Sequence, residues 1–223
     1  LAVADGVSGC SKSENVSLYS HTPCQGIGEV IQEEPESCHN NPKEIIIRTW
    51  KRTLCKGAST LVILNLDQKS PILRSAFVGD SGYLIIRKVN DQWHIVFESE
   101  PQLFQPNVSE QLTYQELLDG KTPTVIENSH NIQHNDIVIV ASDGLFDNMH
   151  HKTILEIIAE DLDADDKLFC PEKTAEKLVT TARKLSLDLQ YESLFALRKK
   201  SGYRGGKPDD ITVVIGQIVI NHA

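Results

Sequence analysis

The sequence predicts an α+β fold, and three observations favour this class. Four segments rich in apolar and β-branched residues follow one another between residues 59 and 98, separated by short turn-like connectors. Segments with helical spacing are gathered in separate runs before and after this block, whereas a parallel α/β sheet would alternate helices with strands. The 223 residues, 40% of them hydrophobic, are enough for one domain with a sizeable core. The short connectors imply antiparallel hairpins.

The first fifty residues predict a strand, a polar insert and a helix. The opening apolar residues end at Asp5-Gly6 and are interpreted as the end of a strand. Residues 11–43 are polar, rich in proline and without a clear period, so they predict a loop or insert. Ile46 and Trp50 lie on one face of a predicted helix over 43–55. Because the sequence starts without Met and already within this strand, we expect a single domain over 1–223 that lacks its N-terminal strands.

The middle of the chain predicts successive strands and then a long connector. A short helix is expected around residues 114–118 of that connector, which is long enough to be a functional flap. The predicted strands are 59–66, 72–79, 82–89 and 93–98, and the connector covers 101–123.

The C-terminal half predicts two more strands with helices between them. The apolar run 137–141 predicts a strand that leads into Ser142-Asp143-Gly144. Helices are predicted over 153–160 and over about 171–189, the second of which begins at a proline. The final strand is predicted over 211–220, after a glycine-rich stretch.

Acidic residues occur where predicted strands begin or end. Asp5, Asp80 and Asp143 follow strands, whereas Asp209 and Asp210 precede one. Because neighbouring antiparallel strands run in opposite directions, strand ends and strand starts can meet at one edge of a sheet. Carboxylates gathered there without a cation would repel one another and take up protons.

The type of these ligands indicates a hard divalent cation. Carboxylates with a backbone carbonyl and water suit Mg²⁺ or Mn²⁺, and no His-x-x-x-His or Cys pair that would favour zinc accompanies them. A single Asp-Gly is more often an ordinary turn. Four such places at strand ends make the metal interpretation stronger.

Charge and cysteine content restrict the partners. The 22 Lys and Arg against 31 Asp and Glu give a net charge of −9, which argues against nucleic acid or an anionic membrane as the main partner. Five cysteines without a C-x-x-C suit free thiols in a reducing compartment. No segment approaches the length of a transmembrane helix, so no membrane insertion is expected.

Five motifs together resemble those of a known enzyme family. They are VADGVSG, GASTLVIL, GDSGYLIIR, ASDGLFDNM and GGKPDDITVV. In this order they resemble the PPM-type (type 2C) metal-dependent Ser/Thr protein phosphatases, and the last two are most similar to the branch with mitochondrial and plastid members. The resemblance implies a four-layer α-β-β-α sandwich of two antiparallel sheets flanked by helices. It also implies two Mn²⁺ or Mg²⁺ ions, with a possible third.

The resemblance assigns a role to each acidic motif. Asp5 would bridge two metal ions, and the Gly6 carbonyl would bind one of them. Asp143 and Asp209 would bind the other ion, directly or through water, and Asp80 corresponds to a third, weaker metal position. A bridging water would then attack phosphorus in one step, without a phosphoenzyme.

Several further expectations come from the same resemblance. Asp210 stands where many relatives carry Asn and would orient Asp209 or a metal-bound water. Val7 replaces a His that many members use as a candidate general acid. The first acidic metal ligand and a phosphate-binding Arg of the family would lie upstream of Leu1.

The function implied is hydrolysis of phosphoserine and phosphothreonine in proteins. We expect a monomer inside the cell, in mitochondria or the cytoplasm. The alternative is a catalytically impaired pseudophosphatase that acts as a regulatory binding module.

Overall fold

The computed structural model describes residues 1–7, 16–67, 69–105, 108–114, 121–199 and 202–220. Internal contacts divide the chain into two compact units. The first unit comprises Leu1–Gly82 and Glu100–Ile132, and the second comprises Tyr83–Ser99 and the chain from Gln133 onward. The assignment of a single domain over 1–223 stays a prediction.

In the described chain, helices and strands are grouped in separate runs, as the sequence predicts. In chain order the elements are β1 (Ala2–Val3), α1 (Val16–Glu33), α2 (Pro35–Cys38), α3 (Pro42–Arg52), β2 (Ala58–Ser59), β3 (Leu61–Leu66), β4 (Ile72–Val78), β5 (Gly82–Val89), β6 (Gln92–Glu98), β7 (Leu103–Gln105), β8 (Val108–Ser109), β9 (Leu112–Thr113), β10 (Ile126–Asn131), β11 (Ile137–Ala141), α4 (Asp143–Phe146), α5 (His151–Glu160), α6 (Pro171–Ser186), α7 (Leu194–Arg198) and β12 (Val213–Gln217).

The first unit contains a four-stranded sheet in the order β1-β3-β4-β10, in which all neighbouring pairs are antiparallel. Helix α3 begins at Pro42, and the Asn41 side chain caps it by accepting a hydrogen bond from the Glu44 N–H at 3.1 Å. Ile46 and Trp50 on its apolar face are buried against residues of β3 and β4. This packing fixes the sheet whose strand ends carry Asp5 and Asp80.

Residues 11–43 were predicted as a loop or insert. A loop is wrong where the structure describes that stretch, because 16–33 forms helix α1 and 35–38 forms α2. Pro23, Gly26 and Gly28 lower the helix propensity of α1 and hide its pattern. Tyr19, Pro23 and Val30 are nevertheless buried at helical spacing. Burial against the rest of the unit therefore outweighs the local preference.

The second unit contains a four-stranded sheet in the order β12-β11-β5-β6. Strand β11 is buried along its whole length and pairs antiparallel with β12, with Ile139 opposite Ile215. Residues of β5, β11, α5 and α6 form one apolar core. Asp136, which immediately precedes β11, accepts two hydrogen bonds from the Arg87 guanidinium, at 2.8 and 2.6 Å.

The α+β class and most predicted elements are confirmed. The predicted strands between 59 and 98, the strand 137–141 and the helices near 43–55, 153–160 and 171–189 all occur with small shifts of their ends. Strand β10 was not predicted, because its sequence IENSHN is polar and its exposed and half-buried positions alternate. The described part of 101–123 holds short strands, and most of the helix expected around 114–118 lies outside the described residues.

Two expectations about composition can be compared with the described chain. Cys24, Cys38, Cys55 and Cys170 are free thiols, as predicted, and Cys10 lies outside the described residues. Among the described helices, none combines the length and the apolar character that a membrane span requires.

Candidate metal centre

The turn after β11 is joined to the residues that precede β12 by the side chain of Ser142. Its Oγ donates a hydrogen bond to the Asp210 carbonyl at 3.2 Å and accepts one from the Thr212 N–H at 3.0 Å. The Ser142 N–H in turn donates to the Thr212 carbonyl at 3.1 Å. The SDG and DDIT motifs, which are far apart in sequence, are therefore held side by side.

Asn148 fixes the same two segments from the other side. Its fully buried amide donates to the carbonyls of Gly144 and Lys207, both at 2.9 Å, and its Oδ1 accepts the Lys207 N–H at 2.8 Å. The Gly144 and Asp210 backbones also lie close together. This approach requires glycine, since a Cβ at Gly144 would lie 2.3 Å from the Asp210 carbonyl oxygen. The two motifs therefore meet backbone to backbone.

Three carboxylates converge on one lysine ammonium in this part of the second unit. Lys207 Nζ contacts an oxygen of Asp143 and lies 2.8 Å from oxygens of both Asp147 and Asp209. The structure thus brings together Asp143 and Asp209, as the sequence predicts, at a point that carries a positive charge.

Asp147 is a site residue that the sequence reasoning missed. Its backbone N–H donates to the Asp143 carbonyl, so that the carboxylates of the two residues project from successive turns of one short helix. The side chain is 9% exposed and also pairs with Arg198 of α7. The four-residue spacing in DGLFD was the signal that could have identified it.

The charges around Lys207 determine its protonation. Burial acts to lower the pKa of the ammonium, but the nearby Asp143 and Asp147 carboxylates outweigh this effect and raise the pKa above its ordinary value. The aromatic ring of Phe195, with its centroid 5.4 Å from Nζ, covers another side of the ammonium. Lys207 is therefore a permanent cation near neutral pH.

Asp210 contacts Asp209 through its backbone. The Asp210 N–H donates to Asp209 Oδ1 at 3.0 Å, and the Asp210 residue is exposed. This N–H orients the Asp209 carboxylate, whereas the role that the resemblance implies for the Asp210 side chain stays a prediction.

In the first unit, Asp5 and Gly6 are held by contacts to Ser59, at the end of β2, and to Thr60, which precedes β3. The Asp5 N–H donates to Thr60 Oγ1 at 3.1 Å, and its carbonyl accepts the Thr60 N–H at 2.8 Å. Gly6 forms a β-bridge with Ser59. The backbone of this pair is therefore fixed where β2 ends and β3 begins.

Asp80 lies at the same end of the first unit's sheet. Its neighbour Ser81 has its Oγ 2.5 Å from Thr60 Oγ1, so a single threonine links the Asp5 and Asp80 segments. Gly79 has a φ of +106°, and a Cβ there would lie 2.6 Å from Thr60 Cγ2. Only glycine allows this close approach.

The donor set of the second unit fits a divalent cation in chemistry. Asp143, Asp147 and Asp209 offer carboxylate oxygens and no sulfur or imidazole, as Mg²⁺ and Mn²⁺ prefer. Across the described part of the chain, no three His, Cys, Asp or Glu side chains are already spaced as around a bound ion. The shared ammonium nevertheless shows that all three carboxylates can face one cation.

Comparison with known proteins identifies the family to which this architecture belongs. The family described as Protein phosphatase 2C matches residues 108–186. The Drosophila grimshawi "Protein phosphatase PTC7 homolog fig" is 30% identical over 236 residues, which cover 99% of this chain and 75% of that protein. The Arabidopsis thaliana "Probable protein phosphatase 2C 80" is 30% identical over 226 residues, or 98% of this chain and 51% of that protein.

Solved structures have the same fold. The photosystem II phosphatase PBCP superposes with a TM-score of 0.82 at 29% identity, covering 97% of this chain and 86% of that one. The catalytic domain of PstP, solved with 2 manganese ions, has a TM-score of 0.62 at 19% identity over 98% of this chain and 87% of its own, and supports the fold alone. The chain belongs to the protein phosphatase 2C family of metal-dependent serine/threonine protein phosphatases.

Proposed function

We propose that this chain removes phosphate from phosphoserine and phosphothreonine in proteins, with Asp5, Asp143 and Asp209 as ligands of Mn²⁺ or Mg²⁺. Family membership supports the reaction class. The observation that carries the site assignment is the convergence of Asp143, Asp147 and Asp209 on one positive charge. The Gly6 carbonyl and Asp80 are proposed as additional ligands, with Asp80 at a third, weaker position.

The acidic residues of the second unit have proposed roles that their surroundings support. Bound divalent ions would lower the pKa of water and neutralise charge on the phosphoryl oxygens. Asp143 and Asp209 hold negative charge on two segments that Ser142 and Asn148 keep in register. Asp210 aims the Asp209 carboxylate through its backbone N–H. Such fixed ligands lose little freedom when a cation binds.

The experiment that tests this proposal compares Asp143→Asn with Asp161→Asn in Mn²⁺-dependent hydrolysis of an aryl phosphate and a phosphothreonine peptide. Asp161 pairs with Lys177 and Thr174 rather than with Lys207, so its variant is a matched control for the loss of one paired carboxylate. We expect Asp143→Asn and EDTA to abolish turnover and Asp161→Asn to leave it unchanged.

Two results would contradict parts of the proposal. Equal turnover by Asp143→Asn and wild type would exclude the site assignment. A wild-type protein that folds and binds Mn²⁺ without turning over either substrate would favour the regulatory pseudophosphatase instead.

The likeness to PTC7 homologues supports the mitochondrial alternative for the compartment, which imaging of the tagged full-length protein would test.

A further inference from the structure

Lys207 is held among the three carboxylates by its own backbone and by its neighbours. Asn148 bonds both its N–H and its carbonyl. The preceding Gly206 donates its N–H to the Asp188 carbonyl at 2.9 Å and has no space for a side chain, since a Cβ would lie 2.1 Å from the Leu185 carbonyl oxygen. The ammonium is therefore directed into the cluster by the fold and is not a surface lysine that meets the acids by chance.

The side chains of this cluster nearly balance one another's charge. Asp143, Asp147 and Asp209 carry three negative charges, and Lys207 and Arg198 carry two positive charges against them. The Lys207 side chain is 26% exposed, and those of Asp143 and Asp147 are 15% and 9% exposed. Charges this close and this sheltered interact more strongly than surface pairs do.

A divalent cation that binds Asp143 and Asp209 comes close to the Lys207 ammonium, because that ammonium contacts one oxygen of each carboxylate. An ammonium and a divalent ion repel each other, so the two cannot share the same carboxylates without a large cost. Among the described ion pairs, Arg198 meets this group at the Asp147 oxygen that Lys207 does not contact, and its side chain is 56% exposed. Lys207 is thus the cation in direct competition.

We propose that the Lys207 ammonium is a built-in competitor for the metal ion, which neutralises the carboxylates in the metal-free protein and is displaced when Mn²⁺ or Mg²⁺ binds. The inference rests on the proposed metal site and adds a determinant of its affinity. Lys207 thereby sets the metal concentration at which the site fills, and it spares the metal-free protein the repulsion of three adjacent carboxylates.

Calorimetric titration of EDTA-stripped protein with MnCl₂ tests this inference. Lys207→Met keeps the length of the side chain and removes its charge, and we expect it to lower the Kd for Mn²⁺ by at least about tenfold. Lys207→Arg keeps the charge and should bind Mn²⁺ as wild type does. Lys199→Met is the matched control, because the Lys199 ammonium lies 4.5 Å from the centroid of the same Phe195 ring. Its Kd should not change.

A second measurement uses the wild-type chain and needs no variant. Acetylation of Lys207 by acetic anhydride, followed by mass spectrometry, should increase when saturating Mn²⁺ releases the ammonium, with Lys199 as the internal reference. Lys207→Met that binds Mn²⁺ as tightly as wild type or more weakly overturns the inference, and so does labelling that Mn²⁺ leaves unchanged.

These readouts separate the inference from the proposed function. Tighter Mn²⁺ binding by Lys207→Met in a protein without phosphatase turnover would support the competition and contradict the enzyme. Mn²⁺-dependent turnover in a wild-type protein whose Lys207→Met variant binds the ion no more tightly would contradict the competition and support the enzyme.

Discussion

Asp209 and Asp210 are adjacent acids in different surroundings. Asp209 faces Lys207 at 2.8 Å with its side chain 31% exposed, whereas Asp210 is exposed and supplies backbone groups to Asp209 and Ser142. Adjacent like charges at the start of a strand are unfavourable unless at least one is neutralised. Here the Lys207 ammonium offsets the charge of Asp209.

The two acids should therefore differ in their effect on activity. Asp209→Ala removes a proposed ligand and should lower Mn²⁺-dependent turnover by more than about 100-fold, whereas Asp210→Asn keeps the N–H that orients Asp209 and should lower it by less than about tenfold. Initial rates with an aryl phosphate measure both. Equal losses would show that the Asp210 carboxylate itself takes part.

A second prediction at this scale concerns the pH dependence of stability. Hydrogen bonds from the Ser70 hydroxyl and the Lys69 N–H to the Asp67 carboxylate lower its pKa from 3.8 to about 2. Because the folded pKa lies below the unfolded value of about 3.9, the ionised carboxylate stabilises the fold above about pH 4. This contribution is lost as the pH falls toward 2.

Asp67→Asn should accordingly lower the free energy of unfolding at pH 7, and its difference from wild type should narrow between pH 4 and pH 2. Urea titrations at a series of pH values measure this difference. Asp91→Asn, at a fully exposed side chain, is the control and should show no such trend. A gap for Asp67→Asn that does not change with pH would contradict the assignment.

The strand-edge argument predicted that acids at strand ends and strand starts can gather, and the family resemblance paired Asp143 with Asp209. The structure places both against Lys207. The sequence could not predict that lysine or Asp147. A lysine near two acids in sequence is typical of an exposed turn, and the contacts of Asn148 and Gly206 that direct it inward appear only in the folded chain.

At the scale of elements, the contact between α4 and the segment before β12 depends on the absence of a side chain at Gly144. Helix α1 also contains a glycine, Gly28, but a Cβ there would meet nothing within 4 Å. The same substitution should therefore have opposite effects in the two helices.

Gly144→Ala should lower the free energy of unfolding by about 1–3 kcal/mol, because the methyl group must displace the Asp210 backbone. It should also lower turnover, since Asp209 moves with that backbone. Gly28→Ala should raise the free energy of unfolding by about 0.5–1 kcal/mol by favouring the helix. Urea unfolding measures both changes. Equal stability of the two variants would show that the Asp210 backbone can move away from residue 144 without a loss of stability.

The sheet of the second unit contains a charged pair whose burial distinguishes it from a surface pair. The Asp136 side chain is 1% exposed and accepts from Arg87 and from the Gln133 N–H, whereas the side chains of Lys88 and Asp166 are 35% and 34% exposed. Breaking a buried pair leaves an uncompensated charge, whereas water replaces a surface partner.

Asp136→Asn should therefore lower the free energy of unfolding by about 3–5 kcal/mol. Asp166→Asn should change it by less than about 1 kcal/mol. Chemical denaturation at pH 7 compares them. If the free energy of unfolding falls by the same small amount in both variants, the Arg87–Asp136 pair contributes no more to stability than a surface pair does.

Helix α1 shows why some elements escape sequence analysis. The predicted elements that the structure confirms have clear sequence signals, namely a continuous apolar run in β11 and helical spacing of apolar residues in α3. In α1, proline and glycine weaken the local signal, and packing against α3 and the sheet supplies the missing stability. Strand β10 is polar for a related reason, since pairing with β4 places it in the sheet although its side chains stay partly exposed.

At the scale of the whole molecule, metal binding should be measurable as stability. A ligand at 100 times its Kd stabilises the folded state by about 2.7 kcal/mol, which for a chain of this size corresponds to about 5–10 °C in Tm. We expect Mn²⁺ to raise the Tm of EDTA-stripped protein by that order.

The same melting experiment has an internal control. Asp143→Asn and Asp209→Ala should lose most of the shift, whereas Asp161→Asn should retain it because Asp161 pairs with Lys177 and Thr174. A Tm shift of equal size in all three variants would mean that Mn²⁺ binds elsewhere on the chain.

The order of strands along the chain has a consequence for synthesis. Strands β5 and β6 leave the ribosome early, but their sheet partner β11 begins only at Ile137, after the last strand of the first unit. At a few residues per second, the nascent hairpin waits for seconds with Leu84 and Ile86 unburied, a state prone to aggregation. The first unit can close its sheet in that interval, so chaperones should engage the nascent chain mainly through the second.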